Sequence, residues 1–136
     1  MRSLFFIPVY NQILELPLVL EELKASPLAC TTILLVNNGS NDGSELLIRN
    51  SGFDYLDLPV NRGVGYSFMC ALDWALEHDY QIFGSLAGNG KMLPSEMGRV
   101  LAPILADEAD YVTGSRFLSG GTSPNLPGFH FFRLCL

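Results

Sequence analysis

Arg62, Lys91 and Arg116 each stand in a glycine-bearing stretch that follows an apolar run: NRGVGYS, AGNGKMLP and GSRF. A guanidinium presents a planar fork and an ammonium a compact point charge, and both suit phosphate oxygens. Glycines beside them let backbone N–H groups approach an anion closely. The chain has eight Lys and Arg in all and a net charge of −6, and the one acid in the comparable loops is Asp42. An acidic protein that gathers positive charge at one rim suits an anionic ligand, most simply a phosphate ester. The alternative is a chance scatter of cations over a solvated face.

Each stretch has two readings. NNGSNDGS (37–44) holds Gly39 and Gly43, which admit positive φ, and Asn and Asp, which tolerate it. It can fold tightly and turn amides toward a ligand, or it is a plain turn with a helix cap at Asp42 or Ser44. NRGVGYS carries G-x-G at a helix start. A dinucleotide fingerprint belongs after the first strand and needs a third glycine, whose place Phe68 takes here, so that reading is rejected. AGNGKMLP lacks Walker spacing, and Met92 follows the lysine. It is a phosphate-holding turn or a turn with Lys91 in water, and it offers no carboxylate to a cation. Arg116 either grips a phosphate or forms a surface salt bridge. His78 reads as a solvated helix C-terminus, His130 as packing, Asp73 and Glu77 as an outward helical pair, and Trp74 as core or interface. Cys30, Cys70 and Cys135 read as small buried hydrophobes.

The elements that hold these loops follow from apolar runs and periodicity. Leu4–Val9 and Thr31–Val36 are continuous apolar runs, the mark of strands buried on both faces. Phe53–Leu58, Tyr80–Leu86 and the short Tyr111–Thr113 complete five predicted strands. Helices are predicted around Pro17–Lys24, over Ser44–Asn50, over Val64–Glu77 with Val64, Phe68, Leu72 and Ala75 as its buried face, and from Pro94 to about Ala106 with a bend at Pro103. Alternating strand and helix imply an α/β fold with a parallel sheet. In such sheets ligands bind at the carboxyl ends of the strands. The loops to read are therefore 8–12, 37–44, 61–65, 87–93 and 114–121.

The totals exclude several classes. With 136 residues, the chain has the size of one domain, and 49% hydrophobic content is ample for a core. Net charge −6 argues against nucleic acid. No apolar run reaches the roughly 18–20 residues of a membrane span. The N-terminus reads as a first core strand, not a signal peptide. Three widely spaced cysteines fit neither a disulfide framework nor a zinc site and point to a reducing compartment. Residues 118–136 read as a loop and an incomplete C-terminal segment, because PGFHFFRLCL stops inside an apolar stretch. Such a tail would seek a membrane, a partner chain (an oligomer included) or an aggregate.

Four blocks in order resemble the family 2 glycosyltransferases, nearest to the branch of dolichyl-phosphate mannosyltransferase and bacterial polyprenyl-phosphate glycosyltransferases. IPVYNQ (7–12) resembles P-x-Y-N-E, VNNGSNDGS (36–44) resembles V-D-D-G-S-T-D-G-S, NRGVGYS (61–67) resembles N-x-G-x-G-x-A, and ADYVTGSRF (109–117) resembles A-D-x-V-x-G-S-R-F. The resemblance runs from about Leu4 to Gly121. It implies a GT-A fold, a three-layer α/β/α domain over residues 1–136 with a mainly parallel sheet, C-terminally truncated. It implies a nucleotide-diphosphate sugar as donor and a polyprenyl phosphate as acceptor. Its donor set is Pro8, Tyr10 and Asn11; Asn37, Asn38, Gly39, Ser40 and Asp42; Arg62, Gly63 and Gly65; and Gly88, Asn89 and Gly90. Lys91 and Arg116 would act in catalysis, Arg116 by guiding an acceptor phosphate.

The family's fourth-strand loop reads D-A-D-G and holds Mg²⁺ or Mn²⁺ on the diphosphate. Here Ala87 and Asn89 take the acid positions, and Asn38 replaces an acid of the earlier block. Asn89 is left as the one candidate metal ligand, a poor one, and Lys91 with Arg62 and Arg116 would take over the cation's electrostatic role. A phosphate acceptor is already an anion and needs no general base. The alternative is a non-catalytic relative that binds nucleotide or a partner protein. The expected location is cytoplasmic, peripheral at the inner face of the membrane.

Overall fold

The two longest apolar runs become the two central strands of a four-stranded parallel sheet. The computed structural model describes residues 1–115 and 117–119. Strand β1 is Ser3–Val9 and β2 is Thr31–Asn38; β3 (Asp54–Leu58) and β4 (Ile82–Ser85) are the edges, in the order β3-β2-β1-β4. Central strands are covered on both faces, so Leu4, Ile7, Val9, Leu34, Leu35 and Val36 are fully buried. The edge strand β3 reads DYLDL, its two acids suited to an open rim. Register is continuous from Ser3 opposite Thr31 to Val9 opposite Asn37, and Phe5 lies opposite Gly84.

The strand order dictates where the helices go. Helix α1 (Leu16–Ala25) joins β1 to β2, and α2 (Ser44–Arg49) joins β2 to β3. Both steps run the same way across the sheet, and right-handed crossovers put these helices on one face. Helix α3 (Val64–Glu77) returns the chain past β1 to β4, which reverses the direction and puts α3 on the other face. The packing agrees. Leu4, Phe6, Leu34 and Val36, alternate residues of one sheet face, pack with Ala71 and Ala75 of α3. This is the expected α/β/α layering, and it puts the reversal of strand order at β1 and β4.

Several boundaries and faces differ from the sequence reading. The seated residues of α3 are Ser67, Ala71 and Ala75, whereas Val64 is 64% and Phe68 40% exposed. Small side chains let the helix lie close on the sheet, and a count of large apolar residues misses that. Phe68 still meets the ring edges of Phe6 at 5.6 Å and Phe83 at 5.2 Å. The helix expected from Pro94 begins as a 3-10 turn, Pro94–Glu96, and continues as α4, Met97–Leu105, with Pro103 inside it. Tyr111–Thr113 is not a strand among the described residues, because β propensity makes no strand without a ladder partner. Cys30 is exposed and Cys70 half-buried. Cys30 holds a left-handed turn before β2 (φ 56°) and so does not pack as a buried hydrophobe. Cys135 and His130 lie outside the described residues. His78 caps α3 as expected, exposed. Trp74 packs partly buried against the core and stacks on His78 and Tyr80.

The chain divides into two compact units, residues 1–97 and residues from 98 onward. The sheet, α1 to α3 and the loops described below belong to the first. No helix among the described residues is long and apolar enough to cross a membrane.

Candidate functional site

The loops at the carboxyl ends of the strands are tied together by side-chain amides, hydroxyls and one carboxylate. Asn11 takes a left-handed conformation (φ 49°) and accepts the Asn41 N–H on Oδ1 at 2.9 Å, while its own N–H donates to Ser40 Oγ at 3.1 Å. The next two N–H groups continue the seam: Gln12 donates to Ser44 Oγ at 2.9 Å and Ile13 to Asp42 Oδ2 at 3.1 Å. Asp42 accepts the Ser44 N–H on its other oxygen at 2.9 Å. Partial desolvation pushes the Asp42 carboxyl up, but the bonds from Ser44 and Ile13 outweigh it and hold the group below the usual aspartate value.

Asn37 and Asn38, each 4% exposed, end β2 and tie in the third loop. Asn37 accepts the Ser40 N–H at 3.0 Å and donates to Asp57 Oδ1 at 2.9 Å; the other oxygen of Asp57 pairs with Arg49 Nε at 2.9 Å. Asn38 accepts the Arg62 N–H at 3.3 Å and donates to Asn61 Oδ1 at 3.0 Å, and that oxygen also takes the Gly63 N–H at 2.8 Å. The backbone N–H donors fix which end of each amide is oxygen. Gly39 (φ +74°) lies so near the 60–61 backbone that a Cβ there would stand 2.6 Å from Asn61 N. Only glycine allows this approach. After β4, Gly88 is buried against the first loop: a Cβ would meet Gln12 Oε1 at 2.6 Å and Pro8 O at 3.2 Å. Asn89 accepts the Lys91 N–H on Oδ1 at 3.1 Å.

These loops enclose a cleft of about 320 Å³. The first loop lines it with Pro8, Val9, Tyr10 and Gln12, and β2 adds Asn38. Asn61, Gly63 and Val64 form another wall, and Ala87, Gly88 and Asn89 come from the loop after β4. The cleft lies at the reversal of strand order, where open α/β sheets take ligands. Gln12 Oε1 is buried there without a partner among the described residues.

Among the residues singled out by sequence, Pro8, Tyr10, Asn38, Gly63, Gly88 and Asn89 line the cleft. Asn11, Asn37, Gly39, Ser40 and Asp42 form the seam that holds the loops. Arg62 lies beside two lining residues, with its guanidinium 4.1 Å over the Tyr66 ring. Gly65 is the second residue of α3, and Gly90 and Lys91 follow Asn89 in the fourth-strand loop. Arg116 lies outside the described residues. Sequence reasoning did not assign Gln12, Val9 or Val64 to the site. Gln12 was legible as the last polar residue of a post-strand loop, but its burial depends on the bare Cα of Gly88.

Residues 5–131 match the family described as Glycosyl transferase family 2. The chain belongs to that family. It is 31% identical over 134 residues to the polyprenol monophosphomannose synthase of Mycolicibacterium smegmatis, a match that takes in 93% of this chain and 49% of that protein. It is 30% identical over 132 residues to the undecaprenyl-phosphate mannosyltransferase of Micrococcus luteus, covering 93% of this chain and 53% of the relative. This family 2 chain thus spans about half the length of these curated relatives. Among solved structures it resembles S. aureus TarS with a TM-score of 0.65 at 18% identity, over 81% of this chain and 20% of TarS. The fold is GT-A.

The Mg²⁺ or Mn²⁺ implied by the family finds no fitting ligand set here. Hard cations of this kind take carboxylate and carbonyl oxygens. No carboxylate, imidazole or thiolate among the described residues lines the cleft. Among the described residues no group of three or more His, Cys, Asp or Glu is placed to hold a metal. Asp42 of the second loop is engaged by Ser44 and Ile13, and Asp57 of β3 by Asn37 and Arg49.

Proposed function

We propose that this chain forms the donor-binding half of a glycosyltransferase that moves a hexose, mannose by analogy with the relatives' names, from a nucleotide-diphosphate sugar to a polyprenyl phosphate. The observation that carries the reading is the convergence of three loops and the end of β2 on one amide-lined cleft at the strand-order reversal. Pockets of this size that combine apolar walls with a few fixed polar groups suit a small ligand such as a nucleotide. In the reaction proposed, an acceptor phosphate oxygen attacks the anomeric carbon, the bond from that carbon to the diphosphate breaks, and the nucleoside diphosphate leaves with the electron pair. The attacking phosphate is already ionised, so no base is required, which is consistent with a cleft lined by amides. Arg62 and Lys91 would offset the charge of the phosphate groups. A lipid acceptor would bring the chain to a membrane surface, on the cytoplasmic side if the sugar nucleotide is cytoplasmic.

The test is incubation of the purified chain with GDP-mannose, UDP-glucose and a polyprenyl phosphate, with equilibrium dialysis against each nucleotide sugar. Saturable binding of one donor, abolished by Gly39→Ala, supports the donor half of the reading, and lipid-linked sugar supports the whole of it. A folded chain that binds none of the donors overturns it.

A further inference from the structure

The cleft's polar groups set it apart from a metal-bridged diphosphate site. We infer that it takes the diphosphate of its ligand as a bare anion, without a divalent cation. This rests on the donor reading above and deepens it. The polar side chains that line the cleft, apart from Tyr10, are four amides: Gln12, Asn38, Asn61 and Asn89. An amide oxygen is a neutral, weak ligand for Mg²⁺, and several must converge to hold it. Three of the four oxygens accept from the protein instead. Asn38 Oδ1 takes the Arg62 N–H, Asn61 Oδ1 takes Gly63 N–H and Asn38 Nδ2, and Asn89 Oδ1 takes the Lys91 N–H.

With its oxygen accepting from the Lys91 N–H, Asn89 has Nδ2 to offer a ligand. An N–H donor suits a phosphate oxygen and repels a cation. Gln12 Oε1, the one buried acceptor in the cleft without a partner among the described residues, gives a single neutral oxygen against Gly88. One such oxygen does not hold a hard dication, but it does accept a hydroxyl or N–H from a ligand. Two cations neighbour the lining residues in sequence without lining the cleft themselves: Arg62, whose guanidinium lies over the Tyr66 ring, between Asn61 and Gly63, and Lys91 two residues past Asn89.

The experiment is calorimetric titration of the full chain with GDP and with UDP, in EDTA and in millimolar Mg²⁺ or Mn²⁺. A parallel manganese titration by electron paramagnetic resonance reads the metal directly. The expected result is a Kd in EDTA within about twofold of that in Mg²⁺, and no manganese bound stoichiometrically by chain and nucleotide beyond what nucleotide alone binds. Ala87→Asp with Asn89→Asp restores two carboxylates to the loop. That variant is expected to bind manganese and to lose about tenfold or more of its nucleotide affinity in EDTA.

Wild-type binding that weakens about tenfold or more in EDTA overturns the inference and leaves the donor reading standing. Absence of binding under every condition, by a chain shown to be folded by circular dichroism, overturns both. If the double substitution does not fold, the wild-type titrations decide alone.

Discussion

Gly39→Ala is expected to be among the costliest single-methyl additions in the first unit, and Gly90→Ala supplies its control. Both glycines have nearly the same φ, +74° and +71°. A left-handed alanine costs about 1–2 kcal/mol at either site. The two differ in surroundings. A Cβ at Gly90 meets nothing within 4 Å, whereas at Gly39 it stands 2.6 Å from Asn61 N, 2.7 Å from Val60 C and 2.8 Å from Val60 Cα. Those are backbone atoms, so no rotamer change relieves the clash and the 60–63 segment must shift. Overpacking of this kind adds about 1–3 kcal/mol. Gly39→Ala should therefore cost roughly 2–5 kcal/mol and Gly90→Ala about 1–2. With an m-value near 2 kcal/mol/M, the extra ~2 kcal/mol lowers the urea midpoint by roughly 1 M more. Equal midpoints for the two variants, at unchanged m, would refute the claim that the second and third loops are locked by backbone contact.

Three further outcomes follow from the same geometry. Asn38→Asp sets a carboxylate oxygen against Asn61 Oδ1, which Gly63 N–H holds in place; it should cost about 1–3 kcal/mol in urea unfolding at neutral pH, whereas Asn38→Ser should be milder. Gly88→Ala pushes on Gln12 Oε1 and Pro8 O and should weaken nucleotide binding, and Gln12→Ala in the same chain should restore part of the lost stability, a coupling read by a double-mutant cycle. Asp42 has a folded pKa below its reference value of 3.8, so its stabilising contribution is fully present above that pH and is lost as pH falls through the lower folded value. Asp42→Asn should lower the melting temperature at neutral pH, and the gap should close as the pH drops below about 3.8; a gap that persists in acid would contradict the assignment.

Much of the fold was legible because double-sided burial leaves a plain trace. The FFIPV and TTILLV runs are continuous because both faces of β1 and β2 are covered, and α3 fell between the expected limits because Gly63, with its positive φ, marks its start. What was not legible depends on contacts distant in sequence. The seated face of α3 is Ser67, Ala71 and Ala75, and only the closeness of the sheet explains why small residues were needed. Tyr111–Thr113 has the composition of a strand without a ladder. The loops of the site were found by position, at strand ends, but their internal wiring was not. Asn37, expected in the donor set, has both polar ends engaged within the protein, by Ser40 and Asp57. Gln12 was passed over because its place depends on a glycine in the fourth loop.

The most direct test of the account uses the site's own chemistry. Gln12, Asn38, Asn61 and Asn89 each carry a side-chain NH₂ that gives a resolvable pair of signals in a nitrogen-15 correlation spectrum. Titration of the labelled chain with GDP-mannose or UDP-glucose should move those four pairs together with the backbone amides of residues 87–90. Shifts confined instead to Thr32, Phe53 and Asp54, which line a separate hollow of about 280 Å³ at the amino ends of the strands, would contradict the assignment of the cleft as the donor site.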